Sequence, residues 1–71
     1  MPGKAKTQVR PISLKIGGYN VNVAPTYIEV EGLVRKGDYK LIYGLLQIGE
    51  YNEALRILLP IVEELANEFI A

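Results

Sequence analysis

The chain has no cysteine and no histidine, and each absence closes a route to stability or chemistry. Without cysteine no disulfide can staple it, and without either residue the usual zinc ligand sets cannot be assembled. A chain of about 60 residues buries only roughly 60% of its unfolded surface, so its packing must be economical. Nucleophilic catalysis is also undersupplied: Ser13 is the only serine, it falls within a strand pattern, and no histidine can activate it. Long hydrophobic runs are missing too. The longest, Ile57 to Val62, contains Pro60 and is followed by Glu63 and Glu64. A bilayer span needs about 20 apolar residues, so no membrane is expected as a partner. Together with the lack of a signal-peptide pattern, this sets an intracellular, cytoplasmic expectation, compatible with a virion-associated protein.

An excess of one charge sign is lacking as well. Eight basic and eight acidic residues cancel, which argues against strong bulk attraction to a polyanion. Their placement is uneven. Residues 1–28 carry Lys4, Lys6, Arg10 and Lys15 and no acid, whereas all eight acids lie in residues 29–71. What the chain does have is apolar side chains, at 49% of its length. A small domain with that content has more apolar surface than one core can hide, which favours self-association or a second protein partner.

The clearest local signal is Gly17-Gly18, a two-residue loop suited to the positive φ angles of a primed turn. It sets Ile16 opposite Tyr19, Leu14 opposite Val21 and Ile12 opposite Val23, with Lys15–Asn20 and Ser13–Asn22 as the intervening polar pairs. Turn chemistry and alternation agree on a half-buried antiparallel hairpin over 8–24. Pro11 lacks a ladder donor, which puts the first strand at an edge or at its start. A strand, not a helix, follows the glycines, so they are no phosphate loop. Residues 1–7 read as a flexible basic arm.

Beyond Pro25 an echo organises the chain. Leu33-Val34-Arg35-Lys36-Gly37-Asp38-Tyr39 returns twelve residues later as Leu45-Leu46-Gln47-Ile48-Gly49-Glu50-Tyr51. Each copy has the form of a helix end, a left-handed glycine, then an acidic start. Thr26 and Glu29 fit a capping box, so a first helix is expected over about 26–36. A second, over about 38–48, has a stripe of Leu41, Leu45 and Ile48 flanked by Ile42 and Leu46. Gly44 in its middle costs about 1 kcal/mol against Ala and marks a close helix–helix approach. A third, over about 51–70, carries Ala54, Leu55, Leu58, Ile61, Val62, Leu65, Ala66 and Phe69 on one face. Ile57, Leu59 and Ile70 widen that arc beyond one surface, and Pro60 is expected to kink the helix.

The remaining candidates for chemistry have structural readings. Glu63, Glu64 and Glu68 form a solvated helix face, and Glu29 and Glu31 lack the buried setting that acid–base work needs. No cofactor, metal or catalytic residue is expected, and the chain does not read as an enzyme. Tyr19, Tyr39 and Tyr51 are expected to pack turns, while Tyr27 and Tyr43 are candidates for an interface.

Gly49, Tyr51 and Ala54, followed by Leu58 and Ile61, resemble the turn and second helix of a tetratricopeptide repeat, which implies helix-hairpin packing. The layout from Leu14 to Leu46, an Ile-Gly-Gly hairpin, a proline and compact helices, is similar to small phage tail-assembly proteins. That resemblance implies a viral or mobile-element assembly setting and supplies no residue roles.

The expected fold is α+β: an N-terminal β-hairpin packed on three short helices, 8–71 forming one domain. The expected function is non-enzymatic assembly as a homo-oligomer, through Ile57, Leu58, Leu59, Ile61, Val62, Leu65, Phe69 and Ile70. The alternative is a small dimeric DNA-binding regulator contacting nucleic acid through Lys4, Lys6, Arg10, Lys15, Asn20 and Asn22. Two-stranded ribbons can enter a major groove, but four cations are few.

Overall fold

A computed structural model describes residues 10–70, with side chains as far as Glu68. The 1–7 arm, with Lys4 and Lys6, and the first two residues of the expected hairpin lie outside the described residues. The elements are strands β1 (Ile12–Ile16), β2 (Tyr19–Ala24), β3 (Tyr27–Val30) and β4 (Leu33–Lys36), then helices α1 (Lys40–Gln47) and α2 (Tyr51–Ile70). The strands form one antiparallel meander in the order β1-β2-β3-β4.

The α+β class therefore holds, but the expected three helices do not: the segment 26–36 is a second hairpin. Its local helix signals lose to three others. Tyr27, Ile28, Val30 and Val34 are β-branched or aromatic and suit a pleated surface. Glu31-Gly32 makes the same kind of tight turn as Gly17-Gly18, with φ of 49° and 93° against 57° and 86°. Finally, β3 satisfies the free edge of β2, pairing Val21 with Val30 and Val23 with Ile28. Among the described residues Glu31 is the non-glycine residue held at positive φ, and it is tied down twice. Its N–H donates to the Asn20 carbonyl at 3.0 Å, and its carboxylate accepts from the Asn20 N–H at 2.7 Å. Thr26 and Glu29 form no capping box, and Glu29 instead sits opposite Asn22 in the sheet.

The first hairpin has the expected register, Ile12–Val23, Leu14–Val21 and Ile16–Tyr19, and β1 is an edge strand starting just after Pro11. One sheet face collects Ile16, Val21, Val23, Ile28 and Val30, all buried, and α1 and α2 cover it. The helices contribute Ile42, Leu46, Ala54, Leu58, Val62 and Leu65. Each large aliphatic side chain so buried is worth roughly 1.5–3 kcal/mol, the main resource of a chain without covalent staples.

The link into α1 is anchored at the β2–β3 turn. The Gly37 N–H donates to the Thr26 carbonyl at 3.0 Å and the Tyr39 N–H to the Pro25 carbonyl at 2.8 Å. Gly37 is not left-handed; a Cβ there would stand 3.1 Å from the Tyr39 ring. Gly49 does behave as a helix stop, with φ 85°, its N–H on the Leu46 carbonyl and the Glu50 N–H on the Leu45 carbonyl. That pair of bonds is a Schellman motif. The two copies of the echo thus differ: one closes a strand, the other a helix. Helix α2 runs on through Pro60. The Arg56 carbonyl that Pro60 leaves without an intrahelical donor lies on the solvent side, since both residues are exposed.

Candidate functional site

The eight residues expected to form an oligomer surface divide by their position on α2. Leu58, Val62 and Leu65 project into the sheet and are 0%, 2% and 3% exposed, so the chain's own core takes them. Ile57 and Ile61 are half-buried along one flank, and Leu59 is exposed on the other. The side chains of Phe69 and Ile70 lie outside the described residues. The face expected to meet a partner is therefore largely the face that makes the fold, because the sheet behind it is twice as wide as the sequence suggests.

Leu59 also borders an open cleft of about 270 Å³ between the β1–β2 turn and the C-terminal half of α2. Ile16, Tyr19, Val62 and Ala66 give it apolar walls, and the exposed Glu63 and Asn67 also line it. The opposite flank of α2 is fastened to the sheet edge: Arg35 of β4 donates to Glu64 at 2.7 Å. That bond holds the Arg35 guanidinium above its ordinary value, with the Glu64 charge adding to it and desolvation opposing.

The shorter helix inverts expectation. Of its apolar positions, Ile42 and Leu46 enter the core, whereas Leu41 is 67% and Ile48 72% exposed. Leu41, Leu45 and Ile48, read as the centre of a buried stripe, instead line the outer side of α1, with Leu45 half-buried. Tyr51, expected to pack its corner, is also exposed. Sequence pattern could not separate these alternatives, because apolar residues occupy both sides of the helix and either side could face the sheet. Tyr43 lies between them in role: half-buried, it donates its hydroxyl to the Arg10 carbonyl at 2.8 Å and ties α1 to the start of β1.

Of the residues proposed to touch nucleic acid, Lys15, Asn20 and Asn22 share the outer sheet face, while Lys4 and Lys6 lie outside the described residues, and the shared face is not a basic surface. The Ser13 hydroxyl donates to the Asn22 side-chain carbonyl at 2.6 Å, and the Asn22 amide to Glu29 at 3.4 Å. Asn20 is bound at its backbone to Glu31. Arg10 and Lys15 are exposed, Arg10 ahead of β1 with its carbonyl held by Tyr43, while Glu29 of β3 and Glu31 of the turn after it bring two carboxylates beside Asn22 and Asn20. The second hairpin thereby places acids where a helix would have left the polar face uncovered.

Among the described residues no group of three His, Cys, Asp or Glu side chains is arranged to hold a metal ion, and no helix is long and apolar enough to cross a membrane. Comparison of the chain with family models, curated proteins and solved structures finds no match.

Proposed function

We propose that the protein is a non-enzymatic assembly module that works by associating with copies of itself. The observation that carries this reading is the apolar surface left after the core is complete. Leu41, Ile48, Tyr51, Leu59 and Val34 are between 43% and 72% exposed on a chain of 71 residues. Single exposed hydrophobic residues are ordinary, but several on consecutive elements of so small a domain favour an interface. A cytoplasmic setting fits this reading, and the resemblance to phage tail-assembly proteins adds a viral one. Nucleic-acid binding is less well supported, since Asn20 and Asn22 already hold the carboxylates of Glu31 and Glu29, whose charge opposes a phosphate backbone. Light scattering of the full chain across a hundredfold concentration range tests the reading. A mass rising above 7.9 kDa is expected, and a monomer throughout would overturn it.

A further inference from the structure

Gly44 is the residue of α1 that the folded chain does not explain. It sits mid-helix without a positive φ, and among the described residues a Cβ built on it would meet no atom within 4 Å. Alanine would therefore fit and would favour the helix by about 1 kcal/mol. The helix can spare little. It has only eight residues and lacks a side-chain cap at Tyr39. The close approach that a glycine permits is not made by α2 or the sheet, so it is available on the outer side, between exposed Leu41 and Ile48.

Those positions are self-complementary. Two antiparallel α1 helices related by a two-fold axis between positions 44 and 45 bring Leu41 level with the second copy's Ile48, and Leu45 level with the second copy's Gly44. Both contacts then recur by symmetry, as an isologous interface requires. Each Leu45, half-buried against its own chain's core, presents its exposed part to the gap that the facing glycine leaves. Charge agrees with this orientation. Among the described residues the Lys40 ammonium at one end of α1 has a single 4.0 Å ion contact, to Asp38, and antiparallel pairing brings it beside the second copy's Glu50, just past the other end. A parallel arrangement would set Lys40 against Lys40 and Glu50 against Glu50.

We infer that α1 is a homodimerisation helix, pairing antiparallel with a second copy through Leu41, Gly44, Leu45 and Ile48. This rests on the assembly reading and names its surface. An eight-residue helix is only about 12 Å long, so the paired faces fall short of the ~800 Å² per partner of a standard stable complex. The dimer is accordingly a weak one that dissociates on dilution.

Sedimentation equilibrium of the full chain, from about 1 μM to about 1 mM, reads the association across the range expected for such a complex. Leu41→Lys and Ile48→Glu each change an exposed residue, and circular dichroism confirms that both variants fold. The wild type is expected to dimerise, each variant alone to remain monomeric, and an equimolar mixture to recover heterodimer through the new Lys–Glu pair. Recovery fails if the helices pair in parallel, and that result overturns the inference. Wild-type association that both single variants retain overturns it too, while leaving the assembly reading intact. A wild type monomeric at every concentration removes both. Gly44→Ala gives an independent readout: a higher melting temperature with weaker association is expected, and unchanged association would count against the close approach at Gly44.

Discussion

The two helices of this protein are joined by a single corner and are both amphipathic, yet they treat their apolar residues differently. Helix α2 is 20 residues long and turns Ala54, Leu58, Val62 and Leu65 wholly into the core. Helix α1 has eight residues, buries Ile42 and Leu46, and leaves Leu41 and Ile48 in solvent. The difference follows from what lies opposite. The long helix lies between the β1–β2 turn and β4 and packs its inner face on the sheet, while the short one covers the β2 end and has a second side on which, among the described residues, Leu41 and Ile48 stay exposed. The division of labour is that α2 supplies stability and α1 supplies surface.

The strongest way to break this contrast is to exchange a leucine in each helix for alanine. Leu58→Ala removes a fully buried side chain and is expected to cost about 2–5 kcal/mol in chemical denaturation. Leu41→Ala should change monomer stability by less than about 0.5 kcal/mol, measured below the association range. Equal losses at the two sites would refute the assignment of roles.

A smaller and opposite pair of effects is expected at the glycines of the two helices' shared hairpin. Gly49→Ala forces a side chain into a left-handed conformation and should lose about 1 kcal/mol, whereas Gly44→Ala should gain up to about 1 kcal/mol in the monomer. Thermal melts of the two variants side by side would show the signs. The smallest effect belongs to the clip between α2 and β4. Glu64→Gln should lower stability slightly, and that loss should shrink as salt is raised, because the Arg35 partner is solvent-accessible. The raised Arg35 value means the guanidinium keeps its charge through the ordinary arginine range, so on the alkaline side this contribution is lost only as pH climbs beyond that range. A salt-independent loss would mean that Glu64 acts through packing instead.

Legibility followed the number of local signals that agreed. At the first hairpin, Gly17-Gly18 and the strict alternation on both sides left one register. Over 26–36 the local signals conflicted. Thr26, Glu29, Arg35-Lys36 and Gly37 all suit a helix, and only the density of β-branched residues and the Glu31-Gly32 turn spoke for strands. The conflict is resolved by β2, whose unpaired edge needs a neighbour and whose Asn20 and Asn22 find Glu31 and Glu29 there. Helix α2 was legible over its whole length, because its period is sustained for five turns. Its proposed interface was not, because a wide apolar arc shows that more than one surface is served without saying which side meets the sheet.

The echo between 33–39 and 45–51 separates the two levels. Residue types near each glycine dictate a stop and a change of direction, and both copies deliver that. Whether the stop ends a strand or a helix is not encoded in those seven residues. For Leu33–Lys36 it depends on β3 lying alongside to take its backbone hydrogen bonds; for Leu45–Ile48 the bonds close locally, within the helix. Composition likewise ensured an apolar surplus in a chain this short. Which residues carry it depended on the second hairpin, which widened the sheet enough to absorb the face of α2 and left that of α1 outside.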